Sequence, residues 1–465
     1  MHTFHSTILR EYDIRGIVGQ TLFPQDAFAI GQAFATLVKQ QTGGDRICVG
    51  RDGRLSSPVL EQAVVDGIKA AGCVAIRIGT GPTPALYYAQ KVQQSDGAIQ
   101  ITGSHNPPDH NGFKMMLAGK PFYGQAIRRL GEIAALGALE NGEGREEAIN
   151  IHPAYIDAVL QGYSTAKRPL TVVWDPGNGA AGEMVQAVIA QLPGRHVVIN
   201  AEIDGTFPNH HPDPTDPHTL VQLRECVLAE KADLGLAFDG DGDRLGVIDG
   251  QGNILWGDQY MVLLARDVLE SHPGAPIIAD VKASQMLFDQ IQAMGGQPVM
   301  GKTGHSLIKT LMAEIKAPLA GEMSGHIFFA DRYYGFDDAL YAATRLLSVV
   351  SALPVSLAEW FADLPRLVNT PEVRFDCPDE QKVSVIEAVR TRLKAEGATM
   401  SEVDGVRVSR PQGWWLLRAS NTQAVLVARA EADHQDNLDH LMDELKIYLA
   451  AAGITCPDLQ AEGHG

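Results

Sequence analysis

Cysteine is scarce in this chain: five among 465 residues, an odd number, widely spread and without a CxxC pair. That excludes a disulfide framework and a cysteine-based zinc site. Cys48, Cys73 and Cys226 lie in apolar stretches and are expected in the core, with Cys377 and Cys456 completing the set. Long apolar runs are missing too: none approaches a membrane-spanning length, and the opening MHTFHSTILREYDIRG has no apolar signal region. The expectation is a cytoplasmic, reducing location and no membrane partner. Positive charge is also short, with 38 Lys and Arg against 56 Asp and Glu, a net charge of -18. A phosphate backbone or an anionic membrane would be repelled over most of such a surface, so no nucleic-acid partner is expected. A small anionic substrate remains possible if a few Arg and Lys residues form a locally basic cleft.

Apolar material is ample, at 45% hydrophobic residues. A chain of this length exceeds what one core sustains, and three or four domains follow. The strongest organisational signal is an internal repeat. One unit runs from a strand RICVG (46–50) through the loop RDGRLSS and the helix SPVLEQAVVDGIKAAG to a strand CVAIRIG. A second runs LTVVW, DPGNGAAG, EMVQAVIAQL, HVVINAEID, and a third PIIAD, VKAS, QMLFDQIQAMG, QPVMGK. Each then supplies a further short strand that ends in a polar loop: DGAIQI before TGSHNP, ADLGLAF before DGDGDR, APLA before GEMSGH. Ligands of open α/β sheets sit beyond strand ends, so three equivalent loops could converge on one cleft.

After about Leu367 the pattern changes to strand EVRFDC, helix VSVIEAVRTRLKAEG, strands GVRVSR, WWLLRAS and AVLVARA, and a closing helix DNLDHLMDELKIYLAAAG. That order describes a small separate α+β domain, joined through ADLPRLVNTPEV. The tail QAEGHG has the composition of a disordered end. The expected architecture is α/β: three tandem related α/β domains with mixed sheets and a C-terminal α+β domain, spanning 1–150, 151–255, 256–367 and 368–465.

In DGDGDR, Asp239, Asp241 and Asp243 alternate with glycines, so three hard carboxylates can turn inward around Mg²⁺. A polar hairpin turn is the plainer reading of such a string. An EF-hand is set aside, because its sixth-position glycine is Arg244 here and its twelfth-position glutamate is Gly250. TGSHNP places Ser104 between Gly103 and Pro107, beside His105. Neighbours on an extended backbone point apart and no G-x-S-x-G elbow is present, which disfavours a hydrolase dyad and favours a phosphate carrier. GNGAAG (177–182), with Glu202 about twenty residues on, matches the dinucleotide fingerprint but accounts for none of the other loops. RASNT offers Arg418, Ser420, Asn421 and Thr422, a set able to wrap a phosphate.

TGSHNP, DGDGDR, GEMSGH and RASNT, in this order and with EYDIRG (11–16), NGFK (111–114) and KTGHS (302–306), resemble the signature loops of the α-D-phosphohexomutase superfamily. GEMSGH is similar to the bacterial phosphomannomutase/phosphoglucomutase group, whereas phosphoglucosamine mutases carry Gln at the Met323 position. The resemblance covers essentially the whole chain and implies four domains around a deep cleft, the last TATA-binding-protein-like.

The resemblance further implies Mg²⁺ held by Asp239, Asp241, Asp243 and an oxygen on Ser104, with Ser104 carrying the phosphoryl group. It implies Lys114 and His305 as general acid/base candidates, without choosing between them, and Arg15 as a catalytic group that orients them. Tyr12, Arg244, Glu322, Ser324 and His326 would contact hexose phosphate, Glu322 and Ser324 at the sugar 3- and 4-hydroxyls. Arg418, Ser420, Asn421 and Thr422 would hold the phosphate not being transferred. Glucose 1,6-bisphosphate is the implied activator and a monomer the implied assembly. Four alternatives stay open at this point: a phosphoglucosamine mutase, a phosphatase, an NAD-dependent dehydrogenase resting on GNGAAG, and a non-catalytic sugar-phosphate sensor.

Overall fold

The computed structural model describes residues 1–164, 167–420 and 424–454. Asn421, Thr422, Cys456 and the tail QAEGHG lie outside the described residues. Four sheets follow one another along the chain. The first holds β1 (Ile14–Ile17), β2 (Arg46–Arg51), β3 (Val74–Thr80), β4 (Gly97–Ile101), β5 (His110–Leu117), β6 (Lys120–Pro121) and β7 (Arg145–Ala148), in the order β1-β5-β4-β2-β3-β7 with β6 on β5. The second holds β8 (Leu170–Asp175), β9 (Gly194–Val198), β10 (Leu234–Phe238), β11 (Leu245–Asp249) and β12 (Ile254–Leu255), in the order β12-β11-β10-β8-β9. The third holds β13 (Pro276–Asp280), β14 (Gln297–Gly301), β15 (Leu319–Gly321) and β16 (Ile327–Phe329), in the order β14-β13-β15-β16.

These sheets share one four-strand core. In each, two parallel pairings are followed by one antiparallel pairing: β3-β2-β4-β5, β9-β8-β10-β11 and β14-β13-β15-β16. The repeat read from the sequence is therefore a repeat of topology. Each copy also contains a second helix that the sequence pattern had not singled out: Thr83–Val92, Val221–Glu230 and His305–Ile315. The parallel pairings require it, because a chain cannot return to a parallel neighbour without a crossover. TGSHNP, DGDGDR and GEMSGH then fall at the turn between the last parallel strand and its antiparallel partner, β4-β5, β10-β11 and β15-β16.

The first three units are not independent in their packing. One continuous apolar core runs from Ile76 and Tyr87 through Trp174 and Phe238 to Ile277 and Leu346. The fourth sheet has a core of its own, including Phe375, Leu393, Trp415 and Leu445. It contains β17 (Val368–Asn369), β18 (Val373–Asp376), β19 (Met400–Ser401), β20 (Val406–Arg410), β21 (Gly413–Ala419) and β22 (Val425–Ala432), all antiparallel, in the order β17-β22-β21-β20-β19 with β18 on β22. The two-residue strands β17 and β19 are additions to the expected order.

This sheet docks on the third unit through residues 281–285. Arg407, buried, lies 3.7 Å from the ring centroid of Trp414 and donates to the carbonyls of Val281 (2.7 Å) and Ala283 (2.8 Å), and Arg429 donates to that of Lys282 (2.8 Å).

Among the described residues no helix is long and apolar enough to cross a membrane. The cysteine reading needs one correction: Cys226 is only half-buried, while Cys377, on the strand-to-helix turn of the fourth unit, is buried with Cys48 and Cys73. Cys226 sits in a helix whose buried residues are Leu223 and Val227, and it packs only partly buried at the edge of the cluster they belong to.

Candidate active site

The three hairpin turns meet. Arg244 bridges His326 backbone to backbone, the Leu245 amide donates to the Gly325 carbonyl (3.0 Å), and the Thr83 amide donates to the Asp241 carbonyl (2.8 Å). Gly240 shows how close the approach is: a Cβ there would lie 2.3 Å from the Ser104 carbonyl oxygen. The decoy fingerprint finds its use here, since the Ala180 amide donates to the Gly240 carbonyl (2.9 Å) and Gly182 lets its helix pack against Ala201.

Ser104 is buried and holds a left-handed backbone, φ 49°. Its amide donates to Thr102 Oγ1 (2.8 Å) and its hydroxyl to Asp239 Oδ2 (2.8 Å). Because the backbone is not extended, the expectation that Ser104 and His105 diverge fails: Ser104 Oγ lies 3.2 Å from His105 Nδ1. Burial, with Arg244 and Arg15 nearby, pushes the His105 pKa well below its ordinary value, so the imidazole is neutral. The loop is held by a residue the sequence reading passed over. Arg54, from RDGRLSS, is fully buried and donates to the carbonyls of Ser104 (2.7 Å), Asn106 (2.5 Å), Pro107 (2.5 Å) and His110 (3.0 Å), while Asp52 lies 3.2 Å from its Nε. The string RDGR carries no sign of this, because all four carbonyls belong to a segment fifty residues on.

Asp239, Asp241 and Asp243 are fully buried, with ligand oxygens within 4.8 Å of one another. Burial and the charges of Asp241 and Asp243 push the Asp239 pKa well above the carboxylate range. Lys114 lies across the cluster, donating to Asp241 Oδ2 (2.7 Å) and to Asp243 Oδ2. Burial works against the Lys114 ammonium, but Asp241 and Asp243 overcome it and its pKa stands well above the usual lysine value. Asp241 Oδ1 and Asp243 Oδ1 are buried with no hydrogen-bond donor among the described residues. Three hard oxygen donors beside a serine hydroxyl, with buried lone pairs unused and mutual repulsion to relieve, fit a divalent cation such as Mg²⁺.

In front of this cluster lies a cavity of about 520 Å³. Its wall includes Tyr12, Arg15, Ser104, Lys114, Arg244, His305, Glu322, Ser324, His326, Arg418 and Ser420, so every expected site residue that is described, the deeper aspartates apart, faces one space. Arg10, Lys282, Arg374 and Arg429 line it as well. A basic pocket thus sits in a chain of net charge -18.

The wall is internally cross-linked. Glu322 Oε1 accepts from the Gly304 amide (2.6 Å), Tyr12 donates to the Thr303 carbonyl (3.2 Å), and Arg15 donates to Asp13 (2.6 Å). Asp404 ties the fourth unit to the third by accepting from Arg418 Nε (2.8 Å) and the Thr303 amide (3.2 Å). Lys282 pairs with Glu372 at 2.8 Å across the same boundary. His305 opens the helix His305–Ile315, and burial, together with Lys309, brings its pKa down to about 4. Its Nδ1 lies 3.1 Å from Asp337, a second residue that no motif had marked.

Known proteins resemble this chain over nearly its whole length. The phosphoglucomutase/phosphomannomutase alpha/beta/alpha domains I, II and III match residues 6–136, 153–252 and 256–368, and the family's C-terminal domain matches 372–447. A phosphomannomutase/phosphoglucomutase of Pseudomonas aeruginosa is 43% identical over 455 residues, covering 98% of each chain. A phosphoglucomutase of Neisseria gonorrhoeae is 42% identical over 445 residues, covering 94% of this chain and 96% of that one. Among solved structures, a phosphoglucomutase/phosphomannomutase family protein of Burkholderia thailandensis superposes with a TM-score of 0.92 at 41% identity, covering 99% of this chain and all of that one. With four family domains in order and relatives matched end to end, the chain belongs to the phosphoglucomutase/phosphomannomutase family.

Proposed function

We propose that the chain is a Mg²⁺-dependent phosphohexomutase that interconverts hexose 1-phosphate and hexose 6-phosphate through phosphorylated Ser104. The carrying observation is the Ser104 hydroxyl 2.8 Å from Asp239, at the floor of a cation-lined cavity. Asp239, Asp241 and Asp243 would hold the Mg²⁺, which when bound neutralises charge on the travelling phosphoryl group.

The free hydroxyl of the bound sugar attacks phosphorus, the bond to Ser104 Oγ breaks, and a hexose 1,6-bisphosphate forms. His305, neutral near pH 7, is the better fit to the group that accepts the hydroxyl proton; Lys114, kept as an ammonium, faces the charge left on Ser104. Arg15 orients these groups, and Arg244 meets the phosphoryl group in flight. After the sugar turns over in the cleft, the second phosphate returns to Ser104. Tyr12, Glu322, Ser324 and His326 line the sugar's place, and Arg418, Ser420, Asn421 and Thr422 hold the phosphate at rest.

A site reading the 3- and 4-hydroxyls does not distinguish glucose from mannose, which differ at position 2, so both are substrates. Glucose 1,6-bisphosphate is the activator that restores phosphoserine. The four domains are 1–150, 151–255, 256–367 and 368–465, each with one sheet, in a cytoplasmic monomer. The fourth closes on substrate by movement near 365–372 and excludes water; identical small-angle scattering envelopes with and without substrate would contradict that movement. Peptide mass spectrometry after incubation with glucose 1,6-bisphosphate tests the carrier: one phosphoryl group at Ser104 is expected, and none there would overturn the assignment.

A further inference from the structure

Thr303 and Arg418 are among the described residues that wall the cavity, and Asp404 behind them is not. Asp404 belongs to none of the signature loops; it lies between β19 and β20, one residue before Gly405. Gly405 has φ 77°, and a Cβ there would lie 2.2 Å from the Leu417 carbonyl oxygen and 2.7 Å from Arg418 Cα. The turn is thereby pressed against β21 at the residue whose side chain Asp404 meets.

A single oxygen, Asp404 Oδ2, accepts from Arg418 Nε at 2.8 Å and from the Thr303 amide at 3.2 Å. Both side chains are largely covered, 8% exposed for Arg418 and 12% for Asp404. Thr303 is fixed in turn: its carbonyl accepts from Tyr12 (3.2 Å), and the next amide, of Gly304, donates to Glu322 Oε1 (2.6 Å). A guanidinium carries its donors in one rigid plane, so a bond at Nε sets where the two terminal nitrogens point. Among the described residues this is the guanidinium's only hydrogen bond, which leaves the terminal nitrogens for a ligand in the cavity.

Charge alone argues against a carboxylate in this place, because it repels a phosphate that approaches Arg418. Docking of the fourth unit does not depend on it either. Arg407 and Arg429 hold the same boundary through the carbonyls of Val281, Ala283 and Lys282, and Lys282 pairs with Glu372 at 2.8 Å. What Asp404 adds is geometry. Resting on the reading of Arg418 as a holder of the phosphate not being transferred, we propose that Asp404 is a positioning residue of that phosphate site. It aims the Arg418 terminal nitrogens into the cavity and, through the Thr303 amide, ties that aim to the loop that holds Glu322.

The test is a double-mutant cycle on the full chain, titrated calorimetrically with glucose 1-phosphate in a Ser104→Ala background so that no turnover intervenes. Asp404→Ala should weaken binding on the order of tenfold, although it removes a negative charge. Once Arg418 is replaced by alanine, the same change should cost less than about threefold, because the carboxylate acts through that side chain. With Ser104 intact, the loss should appear in KM while kcat stays within about threefold. Unchanged or tighter binding in Asp404→Ala overturns the inference, as do losses that simply multiply with Arg418→Ala, or a fall in kcat with KM unaltered. If Asp404→Ala does not fold, Asp404→Asn carries the same expectations at several-fold. A wild type that binds glucose 1-phosphate without converting it would sink the mutase reading, and the dissociation constants would still decide the role of Asp404. A parent protein that does not bind it overturns the inference together with the reading of Arg418.

Discussion

Ser104 and Asp239 are 135 positions apart in sequence and meet at 2.8 Å, serine hydroxyl to carboxylate, where the turns of two topologically equivalent hairpins touch. The pairing exists because the first and second units repeat the same strand order and share one core. On the proposed reading Ser104 is the phosphoryl-carrying side of that contact and Asp239 the metal-holding side.

Removing the hydroxyl should abolish phosphoryl uptake in both Ser104→Ala and Ser104→Gly. The two variants should differ in stability, because the backbone at this position has φ 49°. A left-handed conformation costs a Cβ-bearing residue about 1 kcal/mol more than glycine. Urea unfolding should therefore find the glycine variant more stable by about that amount; equal stabilities would contradict the strain.

Three buried carboxylates that repel one another predict a sign reversal. In chelator, Asp239→Asn should melt at or above the wild type, because one of the charges that burial and neighbours disfavour has been removed. With saturating Mg²⁺ the wild type should gain stability by mass action and the variant much less, so that the order inverts. Melting curves of both proteins with and without Mg²⁺ check this, and an unchanged order would contradict the metal reading.

Arg54→Lys should be damaging despite the retained charge. A lysine cannot reproduce a planar fork that donates to four carbonyls. A loss of about 2–3 kcal/mol is expected, together with slower phosphorylation of Ser104, measured by the rate of phosphoryl uptake from glucose 1,6-bisphosphate.

Asp338 gives a pH dependence. Burial, only partly offset by hydrogen bonds from the Tyr341 amide, Tyr333 and Tyr155, pushes its pKa up from 3.8 to about 7. A carboxyl with a folded pKa above its unfolded one favours the fold in its protonated form. Its contribution is complete below pH 3.8 and is lost as pH rises through 7, with a slope of up to about 1.4 kcal/mol per pH unit in between. Asp338→Asn keeps a helix cap and removes the titration, so the variant's unfolding free energy should lack this decline between about pH 4 and 7.

The topology and the three chemical loops were legible in the sequence because each copy of the unit writes its strands as short apolar runs and its turns as glycine-rich polar strings. Arg54, Lys282 and Asp337 were not legible, since each acquires its place from partners brought near by folding: Arg54 from carbonyls at 104–110, Lys282 from Glu372, Asp337 from His305 and Lys309. The relation of Ser104 to His105 was misread for a local reason: left-handed backbone at a non-glycine residue leaves no compositional trace. The crossover helices were overlooked although the parallel order of the strands demands them: Thr83–Val92 is buried almost all round and so has no polar face to mark a helical period, while Val221–Glu230 and His305–Ile315 bury few residues.

The central claim is net phosphoryl migration within one sugar through Ser104. Its most direct test is a ³¹P NMR time course with Mg²⁺ and a trace of glucose 1,6-bisphosphate, run separately on glucose 1-phosphate and mannose 1-phosphate. Both should convert to their 6-phosphates without accumulation of inorganic phosphate, and Ser104→Ala should convert neither. Release of inorganic phosphate in place of 6-phosphate, or no change in either sugar, would contradict the account.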